Sequence, residues 1–267
     1  MSNNNITIIG GGNLGSSIAE GLSGSTDSPF GKITVTDRSQ KRLEQLKERG
    51  LQVSADNLEA VRASSIVLLC VQPQQLGAAL KEIREVLDKD RHVLVSTVTG
   101  VKTPQISDQV GEGICVVRAM PNTATAIRES MTCLCSENAS EAQMEIVTKI
   151  FKAIGETIVI EEQLMQAATV LGASGIAFFL RFLRAATQGG IQMGFHPHEA
   201  QLIAVQTALG ATKLVSERHN HPEIEIDKVT TPRGCTIEGL NEMEHQGLSS
   251  AVIKGIIASY NKINNIG

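Results

Sequence analysis

The chain has 267 residues, room for one large domain or two modest ones; 42% are apolar and only 3% aromatic, so its core is aliphatic. A formal charge of −4 without any basic stripe argues against a nucleic-acid binder, and five cysteines with no Cys-x-x-Cys pair argue against a metal or disulfide framework. The opening MSNNNITIIG lacks the features of a signal peptide, no apolar run is read as reaching the ~18 residues of a membrane span, and a reducing cytoplasm is the expected compartment.

In chain order, residues 6–9 read as a strand, 14–22 as a helix, 33–36 as a strand, and 41–49 as a helix closed by Gly50. The alternating charges of 41–49 read as a solvated face. A short strand at 51–53 precedes the nearly continuous apolar run 65–71, the pattern of a parallel strand buried on both sides. A helix at 76–87, strands at 92–97, 114–119 and 131–135, a helix at 141–154 and a strand at 156–160 follow. Repeated β-α-β units predict a Rossmann-type α/β fold with a doubly wound parallel sheet over residues 1–162. From 163 to 267 the strands stop: 163–193 and 198–217 read as helices, 227–235 as a loop, and 237–245 and 249–263 as two more helices. These helices are too apolar to stand alone, which predicts an all-helical C-terminal domain carrying an oligomer interface.

Gly10-Gly11-Gly12-Asn13-Leu14-Gly15 follows a strand and opens a helix, the context that a dinucleotide-binding glycine turn needs. Gly10 allows the tight turn, Gly12 the approach of a pyrophosphate, Gly15 close helix packing, and the helix start offers free N–H groups to the phosphates. At the end of the second strand, Asp37 suits the ribose hydroxyl of NAD, whereas Arg38 beside Ser39 suits the 2′-phosphate of NADP or is a plain surface charge. The balance leans to NADPH. The strand ends at Cys70-Val71-Gln72-Pro73 and at Ser96-Thr97-Val98-Thr99-Gly100 also lie where ligands bind in open parallel sheets. Downstream, the polar turn before Thr236 becomes helical, so Thr236 either meets a carboxylate at the helix start or merely caps the helix. The six histidines show no credible metal spacing, and no metal is expected.

Several segments together resemble the pyrroline-5-carboxylate reductase family: the Gly-Gly-Gly-Asn-Leu-Gly turn, Val71-Gln72-Pro73-Gln74, Arg118-Ala119-Met120-Pro121-Asn122-Thr123, Glu161-Glu162, Ala173-Ser174-Gly175, Asp227 through Pro232 with Thr236-Ile237, and Ala251-Val252-Ile253. The resemblance covers essentially the whole chain. It implies NAD(P)H-dependent reduction of a cyclic imine, L-1-pyrroline-5-carboxylate, to L-proline. It implies cofactor contacts at Ile9 to Leu14, Asp37 to Ser39, Asn57, Cys70, Val71, Gln72, Pro73, Thr97, Val98 and Thr99, with Lys228 also in reach. For the substrate it implies Glu162, Cys235 and Thr236, with the backbone from Thr231 to Gly234 taking the carboxylate. Thr236 and Glu162 are the expected catalytic pair, Thr236 bonding the ring nitrogen and Glu162 orienting that side. It further implies a homodimer, or a ring of dimers such as a decamer, with the pocket shared between subunits.

Three departures stand out: Gln72 where the family usually has Lys, Ile176-Ala177-Phe178 where it often has Pro-Ala-Tyr, and Arg233 where it usually has Gly, a residue free to use positive φ, so that Arg233 either alters the loop or adds a charge near the substrate carboxylate. Two other readings remain: a hydroxyacid dehydrogenase or broader imine reductase, and a non-catalytic dinucleotide-sensing protein.

Overall fold

A computed structural model describes residues 4–24 and 30–264. It contains an eight-stranded sheet built from β1 Ile6–Ile9, β2 Ile33–Thr36, β3 Gln52–Ser54, β4 Ile66–Leu69, β5 Val93–Ser96, β6 Cys115–Met120, β7 Ser130–Cys135 and β8 Gly155–Val159. The order is β3-β2-β1-β4-β5-β6-β7-β8, whose first six members have the doubly wound dinucleotide-fold arrangement.

The sheet is covered on both faces, as its apolar strands require. On one face, α1 (Asn13–Ser23), α2 (Gln40–Glu48) and α6 (Glu141–Lys152) bring Ile18, Leu22, Leu46, Val147 and Phe151 onto Ile6, Ile8, Ile66 and Leu68. On the other, α3 (Asn57–Arg62), α4 (Pro73–Ile83) and α5 (Thr103–Val110) bring Val61, Leu76, Leu80 and Ile106 onto Ile9, Val67, Leu69 and Leu94. Consecutive residues of a strand thus serve opposite layers.

One pairing departs from the expected all-parallel sheet: β6 and β7 run antiparallel. The segment from Pro121 to Glu129 joins them. It is shorter than the dozen or so residues of a parallel crossover, so the chain must turn back. β7 meets β6 only from Met120–Cys133 to Arg118–Cys135, whereas it meets β8 from Ser130–Gly155 to Leu134–Val159.

The helix expected over 163–193 is divided. A 3₁₀ turn (Glu162–Leu164), α7 (Met165–Ala168) and a π-helical turn (Thr169–Ser174) precede α8 (Gly175–Gln192). Asn122 Nδ2 donates to the Gly172 carbonyl at 3.0 Å, drawing that oxygen out of the regular ladder. Taken whole, Glu162–Gln192 is long and apolar enough, by length and composition alone, to cross a membrane, with a most apolar window of mean hydropathy 1.4. This corrects the expectation that no such run exists: the stretch tolerates scattered charges that break an uninterrupted run.

Strands end at Val159, but the compact units divide later, after Ser174, because Met165, Thr169 and Val170 are buried in the first unit. Met165 packs there with Met120, Cys133 and Cys135. The second unit, Gly175–Ser259, holds α8, α9 (Pro197–Arg218), α10 (Pro222–Val229), α11 (Cys235–His245) and most of α12 (Leu248–Asn264). The loop expected over 227–235 begins three residues later than predicted, since Asp227, Lys228 and Val229 end α10. Pro222 in its first turn, Glu223 and Glu225 near its start and Lys228 near its end are the signals of that helix. In this unit α8 meets α9 closely at Gly190 and Ala200. Phe179 (68% exposed), Leu202 (69%) and Ile253 (60%) leave the unit with broad uncovered apolar faces.

Candidate active site

The chain reverses its direction of travel across the sheet between β1 and β4, and there the glycine turn lies. Gly10 has φ +104°, and a Cβ on it would lie 2.5 Å from the Cys70 carbonyl oxygen. A Cβ on Gly15 would lie 2.0 Å from the Gly10 carbonyl oxygen, so α1 packs directly on the turn. Gly12 differs: nothing lies within 4 Å of its Cβ position, and that open space faces the uncapped start of α1. A helix start with free N–H groups and no side chain in front of it fits a pyrophosphate.

Two adjoining clefts meet at this turn. One, of about 480 Å³, is lined by Ile9, Gly10, Asp37, Arg38, Ser39, Asn57 and Val71 among others. The second, of about 450 Å³, is lined by Gly10, Gly12, Asn13, Asp37, Cys70, Val71 and Gln72 among others. Twelve of the expected cofactor residues are thereby brought together. Leu14, Gly15, Pro73, Thr97, Val98 and Thr99 line neither cleft. Gly15 and Pro73 serve the turn and the start of α4, while the Thr97 and Val98 side chains are buried. Thr97 Oγ1 donates to the Leu69 carbonyl at 3.0 Å. Asn57 is committed as well, accepting from Thr36 Oγ1 at 2.5 Å and donating to Glu82 at 3.0 Å. Burial pushes the Cys70 thiol up to about 12, against a smaller opposing contribution from Thr97, so Cys70 is a neutral wall residue.

Asp37 is the electrostatic centre of the turn. Its carboxylate accepts from the N–H groups of Gly11 and Ser39, each at 2.9 Å, and from Arg42 Nη1 at 2.9 Å. Burial opposes its ionisation, but these donors outweigh it and hold the carboxyl below its ordinary value. Arg42 was assigned to a solvated charge run, and the structure instead places it in both clefts. The available signal was its place in the first turn of a helix capped by Ser39, five residues after Asp37.

The second group of expected residues lies in the helical unit. Thr231-Pro232-Arg233-Gly234 forms a turn in which Gly234 N–H donates to the Thr231 carbonyl at 2.9 Å. Arg233 adopts φ +58°, the left-handed conformation that the family's glycine suits. Arg233→Gly is therefore expected to raise stability by about 1 kcal/mol, read as a higher denaturant midpoint at unchanged slope. Gly234 caps α11 without a side-chain bond. Thr236 sits in the first turn, half-buried, and its hydroxyl bonds to no described residue, so it is not the cap. The α11 start thus offers free N–H groups beside a free hydroxyl, an arrangement that can hold a carboxylate and a polar ring atom. Exposed Cys235 is the first residue of that helix. Lys228 is paired to Glu225 at 2.6 Å.

Glu162 belongs to a buried network in the sheet unit. Its carboxylate bonds Arg118, Thr103 and Cys135. Burial works against its charge, and these bonds hold it below the ordinary carboxylate range. His92 is a core residue, accepting at Nδ1 from Asp88 N–H at 2.9 Å and meeting the Val61 carbonyl through Nε2 at 3.1 Å. Among the described residues no group of three or more His, Cys, Asp or Glu side chains is placed to hold a metal ion.

Residues 162–266 match the family model for pyrroline-5-carboxylate reductase dimerisation, and residues 5–100 match the model described as NADP oxidoreductase, coenzyme F420-dependent. Pyrroline-5-carboxylate reductase 1 of Dictyostelium discoideum is 44% identical over 274 residues, covering 98% of this chain and 50% of that relative. The chain thus spans half the length of that protein. Pyrroline-5-carboxylate reductase 2 of the same organism is 40% identical over 291 residues, covering 99% of this chain and 97% of that one. Among solved structures, the pyrroline-5-carboxylate reductase of Coxiella burnetii superposes with a TM-score of 0.88 at 30% identity, covering 100% of this chain and 99% of the other. The Plasmodium falciparum pyrroline carboxylate reductase with NADP bound shares the fold, with a TM-score of 0.90 at 24% identity over 100% and 99% of the two chains.

Proposed function

The chain belongs to the pyrroline-5-carboxylate reductase family, and on that premise we propose that it reduces L-1-pyrroline-5-carboxylate to L-proline with NAD(P)H, the last step of proline synthesis. The observation that carries this reading is the glycine turn at the sheet's switch point, with Gly12 open toward the start of α1. A bound nicotinamide supplies the hydride. The chain's residues bind and orient: the Gly12, Asn13 and Leu14 region takes the pyrophosphate, and Cys70 to Gln72 form the neighbouring wall. Free N–H groups at the α11 start take the substrate carboxylate, and the Thr236 hydroxyl bonds the ring nitrogen, which must carry a proton for the carbon to accept hydride. Thr231 and Gly234 shape that turn, and Cys235 borders it. Functionally, residues 1–162 serve the cofactor and 163–267 serve substrate and assembly.

NADPH is the preferred cofactor in this reading. Asp37 spends its carboxylate on Gly11, Ser39 and Arg42, which leaves Arg38 and Arg42 as cations beside the Ser39 hydroxyl, a set suited to a 2′-phosphate. Arg42→Ala is expected to raise KM for NADPH about tenfold, a loss of about 1.4 kcal/mol, while changing KM for NADH much less. Equal effects on both cofactors would remove Arg42 from this role.

The uncovered apolar faces of the helical unit are proposed to close against a second copy of the chain, as a homodimer or a ring of dimers. That reading accounts for the apolar stretch Glu162–Gln192 without a membrane. Five free cysteines suit a reducing cytoplasm. The test of the activity is direct: oxidation of NADPH on adding the cyclic imine supports it. Dinucleotide binding without turnover would favour a sensor, and turnover only with 3-hydroxy acids would favour a dehydrogenase.

A further inference from the structure

We infer that Glu162 is a positioning residue, a latch that holds the β5–α5 turn through Thr103, and not a residue that touches the substrate; this rests on the reductase reading above. An ionised carboxylate has about four acceptor positions. At Glu162 all are taken by the chain itself. Oε1 accepts from Arg118 Nη1 at 2.6 Å and from Thr103 N–H at 3.3 Å; Oε2 accepts from Thr103 Oγ1 at 3.0 Å and from Cys135 Sγ at 2.8 Å. No acceptor is left for a protonated ring nitrogen. Glu162 does border a cleft of about 490 Å³ with Lys102 and Gln166, but its lone pairs face inward.

The donors explain what the latch joins. Arg118 lies on β6 and Cys135 on β7, and Thr103 is the first residue of α5. Arg118 is 2% exposed, and its Nε already lacks a partner, so Glu162 is the counter-charge that makes burying this guanidinium tolerable. The α5 start sits at the far end of the turn that follows β5, and that turn carries Thr97, Val98 and Thr99, the expected cofactor contacts. Fixing Thr103 by both its N–H and its hydroxyl anchors this turn against the two neighbouring strands. The family resemblance implied substrate contact for Glu162; the same residue acts one step away, on the cofactor side.

The test compares Glu162→Gln, Thr103→Val, Thr103→Ser and the Gln/Val double variant in the full chain. Glu162→Gln and Thr103→Val are each expected to weaken NADPH binding about fivefold. The double variant is expected to be no worse than the poorer single one, since both cut the same tie. KM for the imine and the pH profile of kcat are expected to stay at wild-type values, and Thr103→Ser, which keeps the hydroxyl, is expected to bind NADPH normally. If Glu162→Gln moves the imine KM or the pH profile while Thr103→Val is silent, Glu162 meets the substrate and the latch is wrong. Should Glu162→Gln fail to fold, Thr103→Val alone decides: wild-type NADPH affinity in that variant overturns the proposal. A wild-type chain that binds NADPH but does not turn over the imine refutes the reductase reading, while the binding measurements still judge the latch.

Discussion

Gly12→Ala is expected to leave the folded protein intact and to weaken NADPH binding by at least a hundredfold, whereas Gly15→Ala is expected to damage the fold itself. The difference lies in what each new methyl would meet. At Gly12, φ is −69° and the Cβ position is empty within 4 Å, so the backbone tolerates alanine and only an approaching phosphate meets the methyl. At Gly15 the methyl would stand 2.0 Å from the Gly10 carbonyl oxygen, and either the turn or α1 must move. Such overpacking in a tight contact costs about 1–3 kcal/mol or more. Thermal melts without ligand, paired with NADPH titrations, separate the two. A Gly12→Ala variant that binds NADPH as wild type does would show that no phosphate passes that residue.

Thr236→Ala is expected to lower kcat/KM for the imine by about tenfold to a hundredfold, with the dissociation constant for NADPH nearly unchanged. A hydrogen bond to a charged group is worth about 1.5–3 kcal/mol, which sets that range. The hydroxyl bonds to no described residue and the helix is capped by Gly234, so its removal leaves no broken contact inside the chain. A fall in activity could not then be blamed on a lost cap. Thr236→Ser, which restores the hydroxyl, is expected to recover most of the rate. Unchanged turnover in the alanine variant would mean that the ring nitrogen is bonded elsewhere.

Much of this protein was legible before any coordinates. The strand at 66–69 declared itself through an apolar run that suits a sheet buried on both faces, and the short β-rich segments at 6–9, 33–36 and 93–96 joined it through the repeated β-α-β order. The turn at Gly10 and the close helix contact at Gly15 followed from their spacing, and the position beside Gly12 is open. What stayed hidden depended on which side chains the fold brings together, five residues apart for Arg42 and Asp37 and far apart in the chain for Glu162 and its donors. Arg42 looked like one more charge on a solvated helix because only the fold brings Asp37 under it. Glu162 looked available because nothing in its neighbourhood announces Arg118 or Thr103. α3 and α5, with six and eight residues, are too short for periodicity to reveal. The reversal of β7 came from the length of a connection, which apolar patterning does not encode.

That reversal gives the sheet a stepped profile. β6 runs past Arg118, the partner of the last β5 residue, and Ser130, Met131 and Thr132 rise further still, paired only with β8. Three residues of extended chain stand roughly 10 Å high. A long flat ligand laid from the β2 end along the carboxyl tips therefore runs toward a parapet rather than off an open shelf. For a ligand lying that way the overhang would act as a stop, which sets position without having to grip.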